Sequence, residues 1–169
     1  VADNYPLSSR AGEARFRQAS LLYKQGDLID SFDTYQNFIE KHNSSQLYSD
    51  AIKRQYEVAI AAAKGTIKHN FMGLKSKHSA STCEAMLKKC KANAPYSKMA
   101  PNAQFAIGEL YQNRGNAVKS INGYKGVYND YPESSLAPES MYRVGSLLMK
   151  EADALWRGGE AEADVDLLQ

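Results

Sequence analysis

The residue types that most often perform catalysis or bind metals are few in this chain and stand at unfavourable spacings. The three histidines lie too far apart for a pair on one helical turn, and no acid or cysteine near them completes a metal-binding spacing: His42, His69 and His78. No glycine-rich phosphate loop follows a strand pattern, and no nucleophile-elbow motif is present. The sequence therefore predicts a non-catalytic protein that uses neither a metal nor a cofactor.

The two cysteines, Cys83 and Cys90, also fail to form a reactive pair. Their separation of seven residues on one predicted helix places their Cα atoms about 10.5 Å apart. A disulfide requires less than about 7 Å, so the two cannot bond to each other within a regular helix. We expect both thiols to be unpaired and buried, each acting as a small hydrophobic side chain.

The secondary structure that contains these residues is indicated by a short sequence motif that occurs four times, at the boundaries between predicted repeats. Its copies begin at Tyr5, His42, Ala94 and Tyr131, so the intervals are 37, 52 and 37 residues and the middle unit carries 15 extra residues. Repetition at this period is typical of a solenoid of helical hairpins, and 34 residues is the tetratricopeptide value. Such proteins present surfaces to partners.

The tetratricopeptide register is supported by a second offset of 89 residues. Residues of matching type recur at four positions of the repeat. These are a small residue where the two helices cross (Ala19 and Gly108), a glycine in the turn (Gly26 and Gly115), a small residue of the second helix (Ser31 and Ser120) and a bulky residue of the second helix (Tyr35 and Tyr124). No strand pattern competes with the helical one. The fold is therefore predicted to be all-α, an α-solenoid of tetratricopeptide-like hairpins in a right-handed superhelix, with tight helix crossings at Ala19, Gly108 and Gly145.

The whole chain, 1–169, is predicted to be one fragment of such a solenoid. Its hairpins are expected at about 8–42, 45–94 with an insertion at 65–79, 97–130 and 134–169, the last one incomplete. Predicted helix N-caps are Asp27, Ser81 or Thr82, Ser97 and Ser134. The last predicted helix ends near Leu155, and a turn is expected at 157–159. We expect the chain to be a piece of a longer protein, and no segment is apolar enough to span a membrane.

Charge is unevenly distributed although the net charge is only +2. Residues 51–100 hold ten Lys or Arg against two acids, and residues 151–169 hold six acids against one Arg. The basic region is interpreted either as a solvated face or as a docking surface for an acidic partner or anionic lipid headgroups. Its candidate binding residues lie in the insertion: Lys68, Phe71, Lys75 and Lys77. No nucleic-acid-binding motif accompanies these charges, so a nucleic-acid partner is not expected.

The inner helices of the repeats are predicted to line a concave face. Candidate partner-binding residues there are Phe16, Tyr23, Lys53, Phe105, Glu109, Gln112 and Tyr142. Three of them are aromatic residues at the same repeat position, and an exposed stripe of such rings would suit an extended peptide: Phe16, Phe105 and Tyr142. The alternative is that these rings pack against neighbouring helices.

The stretches 94–111, 124–137 and 26–39 resemble the BamD (YfiO) family of tetratricopeptide lipoproteins of the outer-membrane β-barrel assembly machinery. The resemblance implies a scaffold at the periplasmic face of the bacterial outer membrane, lipid-anchored in the full-length protein. Its implied partners are the barrel-forming subunit and segments of unfolded outer-membrane proteins. Two features depart from the family: the long basic insertion and the lack of a lipid-bearing N-terminal Cys in this chain. The alternative is another periplasmic adaptor that coordinates cell-envelope machinery.

Overall fold

Seven α-helices and one short pair of strands make up the residues that the computed structural model describes, 9–65, 68–69, 75–76 and 78–166. The helices are α1 (Ser9–Gln25), α2 (Leu28–Lys41), α3 (Tyr48–Ala63), α4 (Ala80–Asn93), α5 (Met99–Gln112), α6 (Ala117–Asp130) and α7 (Ala137–Asp166). Each helix packs against the next one along the chain, and α3 also packs against α5. The all-α solenoid of tetratricopeptide-like hairpins predicted from the sequence is confirmed.

The turns inside the hairpins depend on glycine at the predicted positions. Gly26 has a φ of 83° and Gly115 a φ of 71°, in the left-handed region that side-chain-bearing residues avoid. At the first turn the Asp27 amide donates to the Leu22 carbonyl at 2.9 Å, and at the second the Asn116 amide donates to the Tyr111 carbonyl at 2.9 Å. The same hydrogen bond therefore ends α1 and α5, as expected for a left-handed helix C-cap.

Helix starts differ in part from the prediction. Ser79, rather than Ser81 or Thr82, caps α4, because its hydroxyl accepts a hydrogen bond from the Thr82 amide at 3.0 Å. Asp27 occupies the N-cap position of α2 without a side-chain cap hydrogen bond. Two predicted caps, Ser97 and Ser134, lie in the turns before α5 and α7. Their hydroxyls accept from the amides two residues later, each at 3.2 Å.

Within the first and third hairpins the two helices approach closely at the predicted small residues. The buried Ser31 hydroxyl donates to the Ala19 carbonyl at 2.8 Å, and the buried Ser120 hydroxyl donates to the Gly108 carbonyl at 2.9 Å. A Cβ atom added at Gly108 would lie 2.5 Å from the Tyr124 ring. The crossings predicted at Ala19 and Gly108 are therefore confirmed.

The third predicted crossing, at Gly145, is wrong. An ideal Cβ atom at Gly145 meets no heavy atom within 4 Å. The reason is that α7 is a single helix: it runs through 157–159, where a turn was expected, and reaches Asp166. Strong helix formers follow the two glycines in the segment 160–163, which favours continuation of the helix. Within the described residues, α6 packs against α7, but no helix after α7 completes a fourth hairpin.

Neighbouring hairpins are joined by a cluster of side-chain amides that the sequence did not reveal. The Gln55 amide nitrogen donates to the Gln36 side-chain oxygen at 2.7 Å, and the Asn93 amide nitrogen donates to the side-chain oxygens of Gln36 and Gln55, each at 2.7 Å. These residues belong to α2, α3 and α4, and Gln55 is fully buried. The cluster therefore links the first two hairpins through directional contacts in the interior.

The insertion contains two short strands that were not predicted. Strands β1 (Lys68–His69) and β2 (Lys75–Ser76) pair antiparallel, with Lys68 opposite Ser76 and His69 opposite Lys75. No strand pattern is visible in the sequence of this segment, because a two-residue strand is too short to show a period. Phe71 and Lys77 lie outside the described residues.

Both cysteines are unpaired and buried, as predicted. Cys83 and Cys90 occupy in α4 the positions that Ser120 and Val127 occupy in α6, where each side chain faces the hairpin interior. Burial raises the pKa of the Cys90 thiol to about 12, and it also raises the pKa of Cys83. Neither thiol is therefore a reactive nucleophile at neutral pH, since the thiolate is the reactive form.

The close approach in the third hairpin predicts opposite effects of alanine at two glycines. Gly108→Ala should lower the free energy of unfolding by about 1–3 kcal/mol, because the new methyl group overlaps the Tyr124 ring. Gly145→Ala should raise it by about 0.5–1 kcal/mol through helix propensity alone, since that site is open. Urea unfolding of both variants measures this; similar effects for the two would show that the helices are not in contact at Gly108.

The buried thiols predict a loss of stability at alkaline pH. Because the folded-state pKa of Cys90 lies near 12, above the unfolded value of about 8.5, the folded protein holds its proton at pH values where the unfolded chain loses it. The contribution of Cys90 to stability is full below pH of about 8.5 and falls as the pH rises toward 12. Urea unfolding from about pH 7 to about pH 11, a range that crosses the unfolded value, should show a smaller decline for Cys90→Ala. An equal decline would contradict this assignment.

Candidate functional site

The inner helices α1, α3, α5 and α7 form one face with three clefts between them, here called the inner face. The cleft between α1 and α3 has a volume of about 630 Å³. The cleft between α3 and α5 is smaller, about 110 Å³, and the cleft between α5 and α7 is about 380 Å³. The face arises because the outer helices α2, α4 and α6 cover the opposite side of the inner ones.

The first cleft collects three predicted residues from two helices: Phe16, Tyr23 and Lys53. Tyr23 and Lys53 are exposed, whereas Phe16 is half-buried. Asp50 and Glu57 line the same cleft. Lys24 and Arg54 line it as well, so the cleft offers three cations, two carboxylates and an exposed phenol to a bound chain.

The third cleft brings together Gln112 and Tyr142, which the sequence also predicted for this face. Tyr142 is 67 % exposed, while the Gln112 side-chain oxygen accepts a hydrogen bond from the Tyr124 hydroxyl at 2.6 Å. Arg143 was not predicted, yet it lines the cleft and donates through Nε to Glu139 at 2.7 Å. That hydrogen bond raises the pKa of the Arg143 guanidinium above its ordinary value.

The middle cleft contains Glu109, half-buried between α3 and α5 beside Ile60 and Lys64. It is the smallest of the three clefts by volume. The inner face therefore has two larger clefts toward its ends and a smaller one between them.

The three equivalent aromatic residues do not form an exposed stripe. Phe16 packs edge-on against Tyr35 with ring centroids 5.5 Å apart, and Phe105 packs in the same way against Tyr124 at 5.1 Å. Both partners belong to the outer helix of the same hairpin, so this repeat position faces the hairpin interior. Only Tyr142 among the three is exposed, because no outer helix covers α7 within the described residues.

Charges on the inner helices are arranged as local pairs of opposite sign. Salt bridges of i,i+3 or i,i+4 spacing link Arg17 to Glu13 at 2.6 Å, Arg54 to Glu57 at 2.9 Å, and Arg143 to Glu139 at 2.7 Å. Exposed pairs of this kind stabilise a helix only slightly. The face therefore carries a mixed polar character rather than a field of one sign.

A polar cluster between α4, α5 and α6 was also missed by sequence reasoning. The Tyr111 hydroxyl donates to the Glu84 carboxylate, and Lys119 lies over the Tyr111 ring with its Nζ atom 4.9 Å from the centroid. Hydrogen bonds from Lys88 and Tyr111 lower the pKa of Glu84, whereas burial and the Glu84 carboxylate raise the pKa of Tyr111 to about 12. These groups hold the helices together and lie away from the three clefts.

The described residues contain no cluster of metal-ligating side chains. Across 9–65 and 78–157 no group of three or more His, Cys, Asp or Glu side chains lies close enough to hold a metal ion. No helix in the part of the chain that the structure describes is long and apolar enough to cross a membrane.

Comparison with known proteins supports the repeat class. Residues 13–45 and 102–134 match the tetratricopeptide repeat. The two matches lie 89 residues apart, the offset that relates Ala19 to Gly108, and they cover most of the hairpins α1–α2 and α5–α6. No curated protein matches the chain. The fold is thus that of tetratricopeptide-like helical hairpins, and repeat solenoids of this kind present extended surfaces to binding partners.

The packing of Phe105 predicts unequal costs for two alanine variants at equivalent positions. Phe105→Ala should lower the free energy of unfolding by about 2–3 kcal/mol, below the value for a fully buried ring, because its contact with Tyr124 is lost. Tyr142→Ala should change it by less than about 0.5 kcal/mol, since that ring is exposed. Thermal and urea unfolding measure both; equal losses would contradict the burial of Phe105.

Proposed function

We propose that this protein is a non-catalytic scaffold that binds an extended segment of a partner protein along the inner face. The observation that carries the proposal is the row of three clefts between α1, α3, α5 and α7, which continues across every hairpin. Repeat proteins stack rigid units so that one surface extends over several of them. An extended peptide matches such a surface better than a compact ligand does.

The two wider clefts determine what kind of segment fits. Tyr23 and Lys53 are exposed in the first, and Tyr142 is exposed in the third. Phenol rings stack on aromatic or aliphatic side chains, and the lysine attracts a carboxylate. The favoured ligand is therefore a segment with aromatic side chains and a free C-terminal carboxylate or an acidic residue.

We propose further that the partner belongs to the assembly of outer-membrane β-barrels, with the protein at the periplasmic face of the outer membrane. Support comes from the sequence resemblance of 94–111 and 124–137, segments that form α5, α6 and their boundary turns. The partners would be the barrel-forming subunit or C-terminal segments of unfolded barrels, which fit the preference for aromatic side chains. The second candidate is a different periplasmic adaptor, which would use the same inner face.

The positive charge of the insertion is the basis for a second proposed contact, with an acidic partner or anionic lipid headgroups. The pairing of β1 with β2 sets Lys75 opposite His69, so residues of the basic segment are held together by backbone pairing rather than spread along an extended chain. Clustered positive charge attracts anionic surfaces over roughly one Debye length, about 8–10 Å at physiological salt.

The proposed function is tested with a short synthetic peptide that ends in an aromatic residue with a free carboxylate. Fluorescence anisotropy should give a Kd in the micromolar range, and Tyr23→Ala and Lys53→Ala should each weaken binding by about tenfold, equal to about 1.4 kcal/mol. Matched controls are Tyr96→Ala and Lys125→Ala, which remove exposed side chains elsewhere and should leave the affinity unchanged.

Two outcomes would contradict the proposal. Equal losses from the inner-face and control variants would show that the peptide binds elsewhere. Absence of binding up to about 1 mM, where the binding free energy is only about −4 kcal/mol, would exclude a peptide of this type as the ligand. The amidated form of the same peptide isolates the role of the carboxylate, which should account for the effect of Lys53.

A further inference from the structure

One face of α7 is apolar, exposed and free of charged residues. Large side chains that are more than half exposed recur on it at intervals of seven: Met141, Leu148 and Leu155 in one row, and Tyr142, Met149 and Trp156 in the adjacent row. The opposite side of the helix is buried against α6 through Ser140, Val144 and Leu147. A spacing of seven residues aligns each row along the helix, which is the pattern of a helix that pairs with another helix.

The same face of α5, 37 residues earlier, shows how such a surface is covered. Gln104, Gly108 and Tyr111 occupy in α5 the positions of Met141, Gly145 and Leu148 in α7. On α5 this surface carries α6: the Gln104 side-chain amide donates to the Gly123 carbonyl at 2.8 Å, and Tyr124 fills the space above Gly108. On α7 the space above Gly145 is empty to at least 4 Å.

The first and third hairpins show which side chains fit this kind of space. In each of them a small residue and an aromatic residue four positions later face the close-approach position: Ser31 with Tyr35, and Ser120 with Tyr124. The exposed face of α7 itself carries a pair of this kind, Ala152 with Trp156. One helix therefore presents both the open space at Gly145 and the pair of side chains that would fill it.

We propose that this face of α7 pairs antiparallel with the same face of a second copy of the chain. Ala152 and Trp156 of one copy cover Gly145 of the other, and twofold symmetry makes both contacts at once, as in an isologous interface. Met141, Leu148 and Leu155 fill the seam, and Gly145 and Ala152 let the two backbones approach. No charged side chain lies in the paired surface.

The area available sets the expected strength of the dimer. Six large apolar side chains per copy, each exposing on the order of 100 Å², would bury on the order of 1,200 Å² in a symmetric pair. That area lies at the lower end of stable interfaces, so the dimer should form in the micromolar range. Tyr142 belongs both to this face and to the third cleft of the inner face, whereas Leu148 and Gly145 line none of the three clefts. The peptide test relies on Tyr23 and Lys53 in the first cleft, so the dimer can be tested separately from the proposed peptide-binding function.

The experiment is sedimentation equilibrium of the whole chain from about 1 to 200 µM, a range that brackets the expected Kd. The unaltered protein should pass from monomer to dimer, and Leu148→Glu should weaken dimerisation by at least about tenfold, since a buried carboxylate would have no partner. The matched control is Leu21→Glu, because Leu21 on α1 is as exposed as Leu148, at 58 % against 52 %. That variant should dimerise normally, and circular dichroism should show both variants folded.

Trp156, the single tryptophan of the chain, reports on the same face. Its emission should shift to shorter wavelength and its quenching by iodide should decrease as the dimer forms, and Leu148→Glu should prevent both changes. A monomer at every concentration overturns the proposal. A dimer that survives Leu148→Glu, or that Leu21→Glu disrupts equally, also overturns it.

The register is tested by cross-linking. Gly145→Cys combined with Ala152→Cys should give a disulfide-linked dimer on mild oxidation, because antiparallel pairing sets each new cysteine beside the other one of the second copy. Within one helix these positions lie about 10.5 Å apart and cannot bond. Ala152→Cys alone should remain uncross-linked; efficient cross-linking of that single variant would exclude the proposed register. Binding of the synthetic peptide should be unaffected by Leu148→Glu, so the two proposals can fail separately.

Discussion

The structure depends on one close contact that is repeated in the first and third hairpins. A small residue of the inner helix allows the outer helix to approach until a serine hydroxyl reaches the opposite backbone carbonyl, at 2.8 Å in the first hairpin and 2.9 Å in the third. A tyrosine one turn later then fills the remaining space with a fully buried ring. Because the contact involves backbone atoms, it sets the distance and orientation of the two helices more strictly than apolar packing alone could.

Contacts between hairpins are of a different kind and differ from one junction to the next. The first junction is held by the amides of Gln36, Gln55 and Asn93, and the next by the Glu84 carboxylate with the Tyr111 hydroxyl. Buried polar groups of this sort must be satisfied together, so each cluster specifies how two units stack. The repeated close contact fixes the pairing of helices within a hairpin, and the polar clusters fix how neighbouring hairpins stack into the solenoid.

The binding surfaces follow from what this packing leaves uncovered. The outer helices cover one side of the inner helices, and the other side is exposed as a row of clefts. Such a row suits an extended partner segment. The last helix has a further uncovered side, where the position equivalent to the close contact meets no other atom. The chain thus offers two kinds of surface, the inner face and the exposed face of α7. Under the two proposals the first takes an extended segment and the second takes a helix.

The sequence by itself determined the helical hairpins, the glycine turns, the crossings at Ala19 and Gly108, and the buried state of both cysteines. All of these depend on residue size or backbone freedom at a fixed period, which the repeat offsets show directly. The tertiary structure alone decided which aromatic residues are exposed: Phe105 stacks inside its hairpin, whereas Tyr142 at the equivalent position is open to solvent. A side chain is exposed or buried according to whether another helix covers its position, and the amide clusters form only where residues of different helices come into contact. Both features arise from contacts between segments that are distant in the chain, so the local spacing of residues cannot predict them.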